Sequence, residues 1–312
     1  MKRLIINRNI VPGPFGGGNA FLSALKHHAE DYGLMPILPS EIRSAGGFID
    51  ASNDIFLAMD PRPGDQEFEF GADELAKWAA AGCKVVHRVN DIDSKRDVPI
   101  GMDQMLRRLS EASSLSIFVS KWLAHAHNEM GWSCTNQAVI YNGVDLDLFR
   151  PRGAKINNGK VNIVVHHWSD NIAKGAELHS FLDYFAGENA DDYSFTYIGR
   201  PNFQAKHANV IEPLAGEDLA IELSRYDVCI NGSKNDPASN SIIEAMACGL
   251  PVYAPRSGGG SIELVGADHI WDNLHDVYGL LISKAFMPNS SGVALRPWTE
   301  CIKEFCEAIC AI

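Results

Sequence analysis

A polar segment with candidate ligand-binding residues lies in the C-terminal half, between a predicted strand and a predicted helix. Residues 231–241 read Asn-Gly-Ser-Lys-Asn-Asp-Pro-Ala-Ser-Asn-Ser. In open α/β sheets, ligands bind where the carboxyl end of a strand faces the start of a helix, whose backbone N–H groups and dipole favour a phosphate. Asn240 and Ser241 are expected at that helix start. They are also good N-cap residues, so a capped helix without a ligand is an equally good interpretation.

The helix that follows carries one carboxylate, Glu244, in an otherwise apolar run. Burying an unpaired carboxylate is costly, so Glu244 must reach water or have a partner. A ribose diol suits it, because a carboxylate accepts two hydroxyl hydrogen bonds. Gly258 and Gly259 follow in the sequence Ser-Gly-Gly-Gly-Ser, a flexible loop that lets backbone approach a ligand closely.

Short apolar runs alternate with helical patterns along the whole chain, and these elements must position the polar residues. Strands are predicted at 4–6, 54–57, 84–89, 116–119, 161–165, 193–199, 227–230 and 251–254, and helices at 19–25, 73–81, 99–112, 175–185, 218–225 and 241–248. Alternation of this kind predicts an α/β protein with parallel sheets covered by helices on both faces. The pattern occurs twice, which indicates two Rossmann-like, doubly wound domains.

The boundary between the two domains is predicted within residues 149–160, which are rich in Gly, Asn and charge. The chain has 312 residues, more than the roughly 250–300 at which one core stops growing. We therefore predict an N-terminal domain at 1–152 and a C-terminal domain at 153–296. Residues 297–312 form a predicted final helix, and the sequence does not show where it docks.

Composition excludes several classes of function. The chain has 39 acidic and 27 basic residues and a formal charge of -12, which disfavours non-specific binding to nucleic acid or to anionic membranes. No apolar run approaches the ~20 residues of a transmembrane helix, and the first residues do not resemble a signal peptide. The seven cysteines are scattered without a Cys-x-x-Cys pair, which predicts a cytoplasmic protein without structural zinc.

Several segments together resemble one enzyme family. The run from Glu244 to Val252 reads Glu-Ala-Met-Ala-Cys-Gly-Leu-Pro-Val, and it is followed by Gly258-Gly259 and by Glu263-Leu264-Val265. This order is similar to the donor segment of the GT-B, family-4-type (group 1) retaining glycosyltransferases. Residues 139–151, Lys174-Gly175 and the glycine loop at 16–18 are also similar to segments of that family.

The resemblance implies two Rossmann-like domains that face each other across a cleft. The C-terminal domain would bind a nucleotide sugar, with Glu244 on the ribose, Lys174 on the diphosphate, and Asn240-Ser241 and Gly258-Gly259 around the phosphate or sugar. The N-terminal domain would bind an acceptor (a saccharide, a lipid-linked saccharide or a small molecule), and Gly17 lies in its glycine loop. The implied reaction moves the sugar with retention and uses no cofactor and no metal.

Three positions depart from the family pattern. Asp236 stands where the family usually has a catalytic glutamate. His166-His167 stands near an arginine of the family, so either histidine is a candidate donor contact, and we assign the contact to His167. In the N-terminal domain the family's histidine position falls nearest Asn90, with Asp91 beside it. Asn90 or Asp91 would orient the acceptor, or Asp91 would act as a base. Arg88 is a further candidate for binding an anion.

Two alternative functions stay open. A non-catalytic nucleotide-sugar-binding or scaffold protein is favoured by the departures at Asp236 and Asn90. An NAD-dependent oxidoreductase is a remote alternative, because residues 13–18 follow a strand and open a helix. That segment fails the Gly-x-Gly-x-x-Gly pattern, since Phe15 occupies a glycine position.

Overall fold

The computed structural model describes residues 1–13, 16–44, 47–64, 68–93 and 101–312. The predicted turn residues Pro14 and Phe15 and the start of the helix predicted at 99–112 lie outside these ranges. The chain divides into two compact units. Unit 1 comprises Met1–Pro12, Gly17–Gly143 and Trp298–Ile312, and unit 2 comprises Gly13–Gly16 and Val144–Pro297.

The described residues form strands and helices in alternation. The strands are β1 Lys2–Ile6, β2 Leu34–Ile37, β3 Ile55–Ala58, β4 Lys84–Val89, β5 Leu115–Phe118, β6 Gln137–Val139, β7 Val161–His167, β8 Tyr193–Gly199, β9 Asn209–Ile211, β10 Val228–Ile230, β11 Val252–Pro255 and β12 Ile270–Trp271. The helices are α1 Gly17–His28, α2 Pro39–Ser44, α3 Ala72–Ala80, α4 Gly101–Ala112, α5 Lys121–Glu129, α6 Ala176–Glu188, α7 Gly216–Leu223, α8 Asn240–Ala247, α9 Ser261–Val265, α10 Leu274–Ser283 and α11 Trp298–Cys310.

Unit 1 is built on a parallel sheet with the strand order β2-β1-β3-β4-β5-β6. Successive side chains of a strand point to opposite faces, so each strand contributes to two cores. Leu4 and Ile6 pack with α1 and α11 on one face, and Ile5 packs with α3 and α4 on the other. The final helix, α11, docks on unit 1, where the rings of Phe305 and Phe21 lie 4.9 Å apart.

Unit 2 repeats this architecture with the strand order β12-β11-β10-β7-β8-β9. Its core includes Tyr197, Phe195 and Leu182. The chain runs outward from β7 to β9 on one side and from β10 to β12 on the other, so the order reverses between β7 and β10. In open α/β sheets such a reversal leaves a crevice at the carboxyl ends of the two strands. The predicted α/β class with two doubly wound, Rossmann-like sheets is confirmed.

The division between the units falls at Gly143 and Val144, earlier than the 152/153 boundary drawn from the sequence. The intervening residues attach to unit 2 through hydrogen bonds. Val144 donates its N–H to the carbonyl of Arg296, and the Ser224 hydroxyl donates to the carbonyl of Arg150. The polar composition of 149–160 therefore marks a surface segment of unit 2. Within the described ranges, no helix is long and apolar enough to cross a bilayer.

Candidate functional site

The loops after β7 and β10 lie against each other at the reversal point of unit 2. Lys234 donates its backbone N–H to the carbonyl of Ala173 over 2.8 Å. Gly175 has a φ of +106°, and a Cβ built on it would lie 2.6 Å from the Cα of Gly232. Since a side chain at 175 would collide with backbone, the two loops can approach this closely only through glycine.

This loop contact places Lys174 beside Asp236. Lys174 ends a short 3₁₀ turn that begins at Asn171, whose side-chain oxygen accepts a hydrogen bond from the N–H of Ala173. Its Nζ lies 2.6 Å from Oδ2 of Asp236, and the side chains are 27 % and 8 % exposed. A lysine charge is thus held at the crevice by a nearly buried carboxylate.

A third loop, after β11, joins the same group. Asn235 donates its N–H to the carbonyl of Ser257, and Gly260 donates its N–H to the carbonyl of Asp236. Gly259 has a φ of +68°, and a Cβ there would lie 2.8 Å from the Asp236 carbonyl oxygen. The glycine loop predicted at Gly258-Gly259 therefore approaches the Asp236 backbone and holds it in place, while Lys174 pairs with the side chain.

The start of α8 carries hydroxyl and amide groups. Ser239 is the N-cap residue, but its side chain makes no capping hydrogen bond to the helix backbone. Its hydroxyl instead pairs with that of Ser241 at 2.8 Å, and Asn231 Nδ2 donates to the same Ser241 oxygen at 3.3 Å. Asn240 is the first residue of the helix. The predicted capped helix therefore forms without a side-chain cap, and its positive end faces the crevice residues.

Glu244 lies one turn further along α8, and His166 lies beside it. The Glu244 side chain is 23 % exposed, and burial raises the pKa of its carboxyl to about 8. His166 Nε2 lies 2.9 Å from the Ser241 carbonyl oxygen and 3.9 Å from Glu244 Oε2. Because a carbonyl oxygen can only accept, Nε2 carries the proton. Burial lowers the pKa of His166 to about 4, so this ring is neutral near pH 7.

The geometry thus places His166, and not the predicted His167, next to Glu244. His167 is buried, and its ring centroid lies 6.0 Å from that of His179. Burial, followed by the nearby charge of Lys174, holds the pKa of His167 well below its ordinary value. The sequence signal for His166 was its place at the carboxyl end of β7. Adjacent side chains on a strand point to opposite faces of the sheet, so the sequence alone does not show which of the two histidines faces α8.

In unit 1 the structure brings Asn90 and the glycine loop together. Asn90 directly follows β4, and a Cβ built on Gly18 would lie 3.6 Å from Asn90 Nδ2. Gly17, the first residue of α1, adjoins this contact. Asp91 accepts a hydrogen bond from the N–H of Ile92 at 2.8 Å. The predicted acceptor-side residues are therefore neighbours at the carboxyl edge of this sheet.

The candidate residues form two groups. Unit 2 assembles Lys174, Asp236, Asn240, Ser241, Glu244, Gly258, Gly259 and His167, and unit 1 assembles Gly17, Asn90 and Asp91. Sequence reasoning considered both adjacent histidines and assigned the contact to His167 rather than to His166, and it missed the organising role of Asn231. Among the described side chains, no three His, Cys, Asp or Glu residues come together as a metal site.

Comparison with solved structures shows which fold this is. HepE of Anabaena, solved in complex with UDP-glucose, superposes with a TM-score of 0.71 at 15% identity, with 100% of both chains covered. Sucrose-phosphate synthase of Thermosynechococcus elongatus gives a TM-score of 0.64 at 13% identity, with 99% of this chain and 95% of that one covered. The chain has the GT-B fold. This confirms the fold that the Glu244–Val252 segment implied.

A curated relative adds a similarity in sequence. Sulfoquinovosyl transferase SQD2 of Arabidopsis thaliana is 27% identical over 177 aligned residues, which span 51% of this chain and 34% of the plant protein. The chain thus covers about a third of that relative's length. No model of a known protein family matches the sequence. In the GT-B fold of this chain, both groups of candidate residues lie at carboxyl edges of the sheets.

Proposed function

We propose that this protein is a glycosyltransferase that moves a sugar from a nucleoside-diphosphate sugar to an acceptor. The observation that carries the proposal is the convergence of Lys174, the start of α8 and Glu244 at the reversal point of unit 2. These are a cation, a helix dipole and a carboxyl group, which suit a diphosphate and a ribose. The SQD2 and HepE similarities support the same assignment.

In the proposed reaction, unit 2 holds the donor and stabilises its leaving group. The bond between the anomeric carbon and the phosphate oxygen breaks, and negative charge grows on the departing diphosphate. Lys174 and the N–H groups at Asn240-Ser241 face that charge, and prearranged groups of this kind stabilise a transition state by about 3–4 kcal/mol each. Glu244 accepts hydrogen bonds from the ribose hydroxyls. His167, buried beside Lys174, supports the wall of the phosphate site.

Asp236 has two roles in this proposal. Its carboxylate fixes the Nζ of Lys174 through Oδ2. Its other oxygen, Oδ1, which also accepts a hydrogen bond from the N–H of Ala238 at 3.3 Å, is assigned to a hydroxyl of the donor sugar. Gly258 and Gly259 hold the Asp236 backbone in place for both contacts. The shorter side chain of aspartate is compensated by the backbone pairing with the glycine loop.

Unit 1 is proposed to bind the acceptor. The acceptor hydroxyl oxygen forms the new bond to the anomeric carbon, and its proton must be removed. We assign orientation of the hydroxyl to Asn90 and removal of the proton to Asp91, with Gly17 leaving room for the acceptor beside Asn90. Retention of the anomeric configuration is part of the proposal and is measured on the product.

The proposed enzyme uses no metal, because Lys174 and the start of α8 supply the positive charge that a bound cation would supply. We also propose that it works in the cytoplasm. The seven cysteines are not joined in disulfides, and four of them (Cys229, Cys248, Cys301 and Cys306) are buried, which supports the proposal of a reducing compartment.

A second candidate function is nucleotide-sugar binding without transfer. It is favoured by one observation, the pairing of Asp236 with Lys174, since a closed ion pair occupies both groups. Turnover separates the two candidates, because only a transferase releases nucleoside diphosphate in an acceptor-dependent reaction.

The test begins with thermal unfolding in the presence of UDP, GDP, ADP, CMP and their common sugars, with and without EDTA. One nucleotide should stabilise the protein regardless of EDTA, by about 2.7 kcal/mol at 100 times its dissociation constant. With that donor, Lys174→Met should lower turnover by about 10²–10³-fold. Lys234→Met is the matched control, since its exposed side chain pairs with Glu177 on the surface. Equal losses in both variants, or stabilisation by NAD alone, would contradict the proposal.

A further inference from the structure

Arg88 is a buried cation for which the described part of the chain supplies no counter-charge. It is 3% exposed and lies on β4. One guanidinium nitrogen, NH2, donates to Asn142 Oδ1 at 2.7 Å, and the guanidinium carbon lies 4.1 Å from the centre of the Phe21 ring. Among the described residues Arg88 makes no ion pair, and its NH1 has no hydrogen-bond partner. Burial lowers the pKa of Arg88 to about 9.

This environment differs from that of the chain's other arginines. Eight of them form ion pairs with carboxylates, namely Arg3, Arg8, Arg62, Arg107, Arg108, Arg152, Arg225 and Arg256. All eight are more exposed than Arg88. A buried charge costs free energy unless it is paired and fully hydrogen-bonded, so an anion would stabilise Arg88 more than it would stabilise the exposed arginines. Buried groups of this kind mark functional sites.

Two further groups that favour an anion lie near Arg88. Asn90 follows it by two residues at the carboxyl edge of the sheet, and its Nδ2 faces the start of α1, 3.6 Å from a Cβ built on Gly18. The first turn of α1 contains no acidic residue, and the helix is 12 residues long. Phe21, the ring over which the guanidinium lies, belongs to the second turn of that same helix. A guanidinium, an amide and a positive helix end thus gather at one edge of unit 1.

We propose that unit 1 contains an oxyanion site centred on Arg88, which binds a phosphate, sulfonate or carboxylate group of the acceptor. The anion pairs with the guanidinium of Arg88 and accepts hydrogen bonds from Asn90 and from the first N–H groups of α1. The proposed anion binding does not depend on the transferase function. Only the statement that the anion belongs to the acceptor rests on the proposed function. The site would select charged acceptors over neutral sugars.

The experiment is titration calorimetry of the whole protein with inorganic phosphate, and separately with acetate, at constant ionic strength and with saturating UDP. UDP is added to fill the phosphate site proposed in unit 2, so that the calorimeter measures only anion binding at a second site. Arg88→Gln should weaken anion binding at least tenfold, and Arg88→Lys should weaken it less. The matched control is Arg107→Gln, which removes an exposed arginine paired with Glu111 on α4 of the same unit. Phosphate binding without acetate binding identifies a tetrahedral anion, and binding of both identifies oxyanions generally.

Unfolding measurements separate a ligand role from a structural role. If Arg88 serves only the fold, Arg88→Met should lower the melting temperature and phosphate should not raise that of the wild type. The proposal expects an unchanged or raised melting temperature in Arg88→Met, because a buried unpaired charge is removed. Arg88→Lys keeps the charge and provides the binding measurement if the methionine variant does not fold.

Three results would overturn the proposal: no anion binding by the wild type, binding that Lys174→Met abolishes, or binding that Arg88→Gln leaves unchanged. Donor binding and turnover are measured on the same variants. Loss of the anion site with normal donor binding leaves the transferase proposal intact. Anion binding that persists in a protein without transfer supports the site and rejects the transferase.

Discussion

Both units are built on an open, parallel six-stranded sheet, with different strand orders, and they hold the residues at their carboxyl edges differently. In unit 2, three loops are joined by backbone hydrogen bonds and by glycine contacts, and the central cation, Lys174, is paired with Asp236. In unit 1, the buried cation Arg88 contacts Asn142 and the ring of Phe21, and it makes no ion pair with the residues that the structure describes. The site in unit 2 is thus preorganised by its own backbone, whereas the site that we propose in unit 1 is completed by an anionic ligand.

Acid should affect both units through their buried histidines, and this is the largest effect that we expect. His87 and His127 are buried in unit 1, and His166, His167 and His179 are buried in unit 2. Burial lowers their pKa values, to about 4 for His166 and His179 and to about 3 for His87. The unfolded chain therefore binds more protons below pH 6.5, and stability must fall on acidification, by about 2 kcal/mol per histidine at pH 5.

In unit 2, the carboxyl group of Glu244 has the opposite effect on folding stability as the pH falls. Its pKa is raised to about 8 in the folded protein, so the folded state binds the extra proton and gains stability as the pH falls, by about 3 kcal/mol between pH 7.5 and 5. The two units should then lose stability nearly in parallel. Hydrogen exchange at pH 7.5 and 5 reports the strands of each unit separately. Equal protection at both pH values would contradict the expectation, and Glu244→Gln should make unit 2 the more acid-sensitive unit.

A pair of glycines tests how tightly each unit's loops are packed. Gly175→Ala in unit 2 combines a positive φ with a Cβ placed 2.6 Å from the Gly232 Cα, so the loops must separate. We expect a loss of about 2–4 kcal/mol. Gly18→Ala in unit 1 meets only Asn90 Nδ2 at 3.6 Å, and alanine in a helix is about 0.5–1 kcal/mol better than glycine. Urea unfolding of the two variants gives both values. A similar loss in both would show that unit 1 is packed as tightly as unit 2.

The strands that the sequence did not predict are the four sheet edges. β2 and β6 flank the sheet of unit 1, and β9 and β12 flank that of unit 2. Interior strands of a parallel sheet are buried on both faces and show continuous apolar runs, whereas edge strands are short and partly exposed. Asn209–Ile211, for example, is exposed or half-buried throughout. Apolar pattern therefore predicts the interior of such a sheet better than its edges.

The residues of the candidate site also differ in how well the sequence predicts them. Lys174 and Glu244 belong to local segments that the sequence shows directly. The ion pair of Lys174 with Asp236 joins residues 62 positions apart and depends on the Gly175–Gly232 contact, which no local pattern reveals. The burial of Arg88 without an ion pair among the described residues is visible only in the structure. The sequence therefore predicts functional residues that belong to a recognisable local segment. It does not predict contacts between distant segments or the burial of a side chain.

The last prediction concerns the pH dependence of donor binding, which should be a property of unit 2 alone. The carboxyl group of Glu244 has a pKa of about 8 in the free protein, so it is mostly protonated at pH 7. Accepting two ribose hydroxyls requires the carboxylate, so binding must release a proton. Affinity should therefore rise nearly tenfold from pH 6 to pH 7 and level off above pH 8.

UDP-glucose is the probe for this measurement, because its phosphates do not titrate in this range, unlike the terminal phosphate of UDP. Calorimetry in buffers of different ionisation enthalpy counts the protons released at pH 7. Glu244→Gln should bind about 10–100-fold more weakly, since charge-assisted hydrogen bonds are lost, and its affinity should not vary with pH. Arg88→Gln in unit 1 should keep the wild-type profile. A flat wild-type profile would remove Glu244 from the ribose contact, and a profile altered by Arg88→Gln would mean that the donor site is not confined to unit 2.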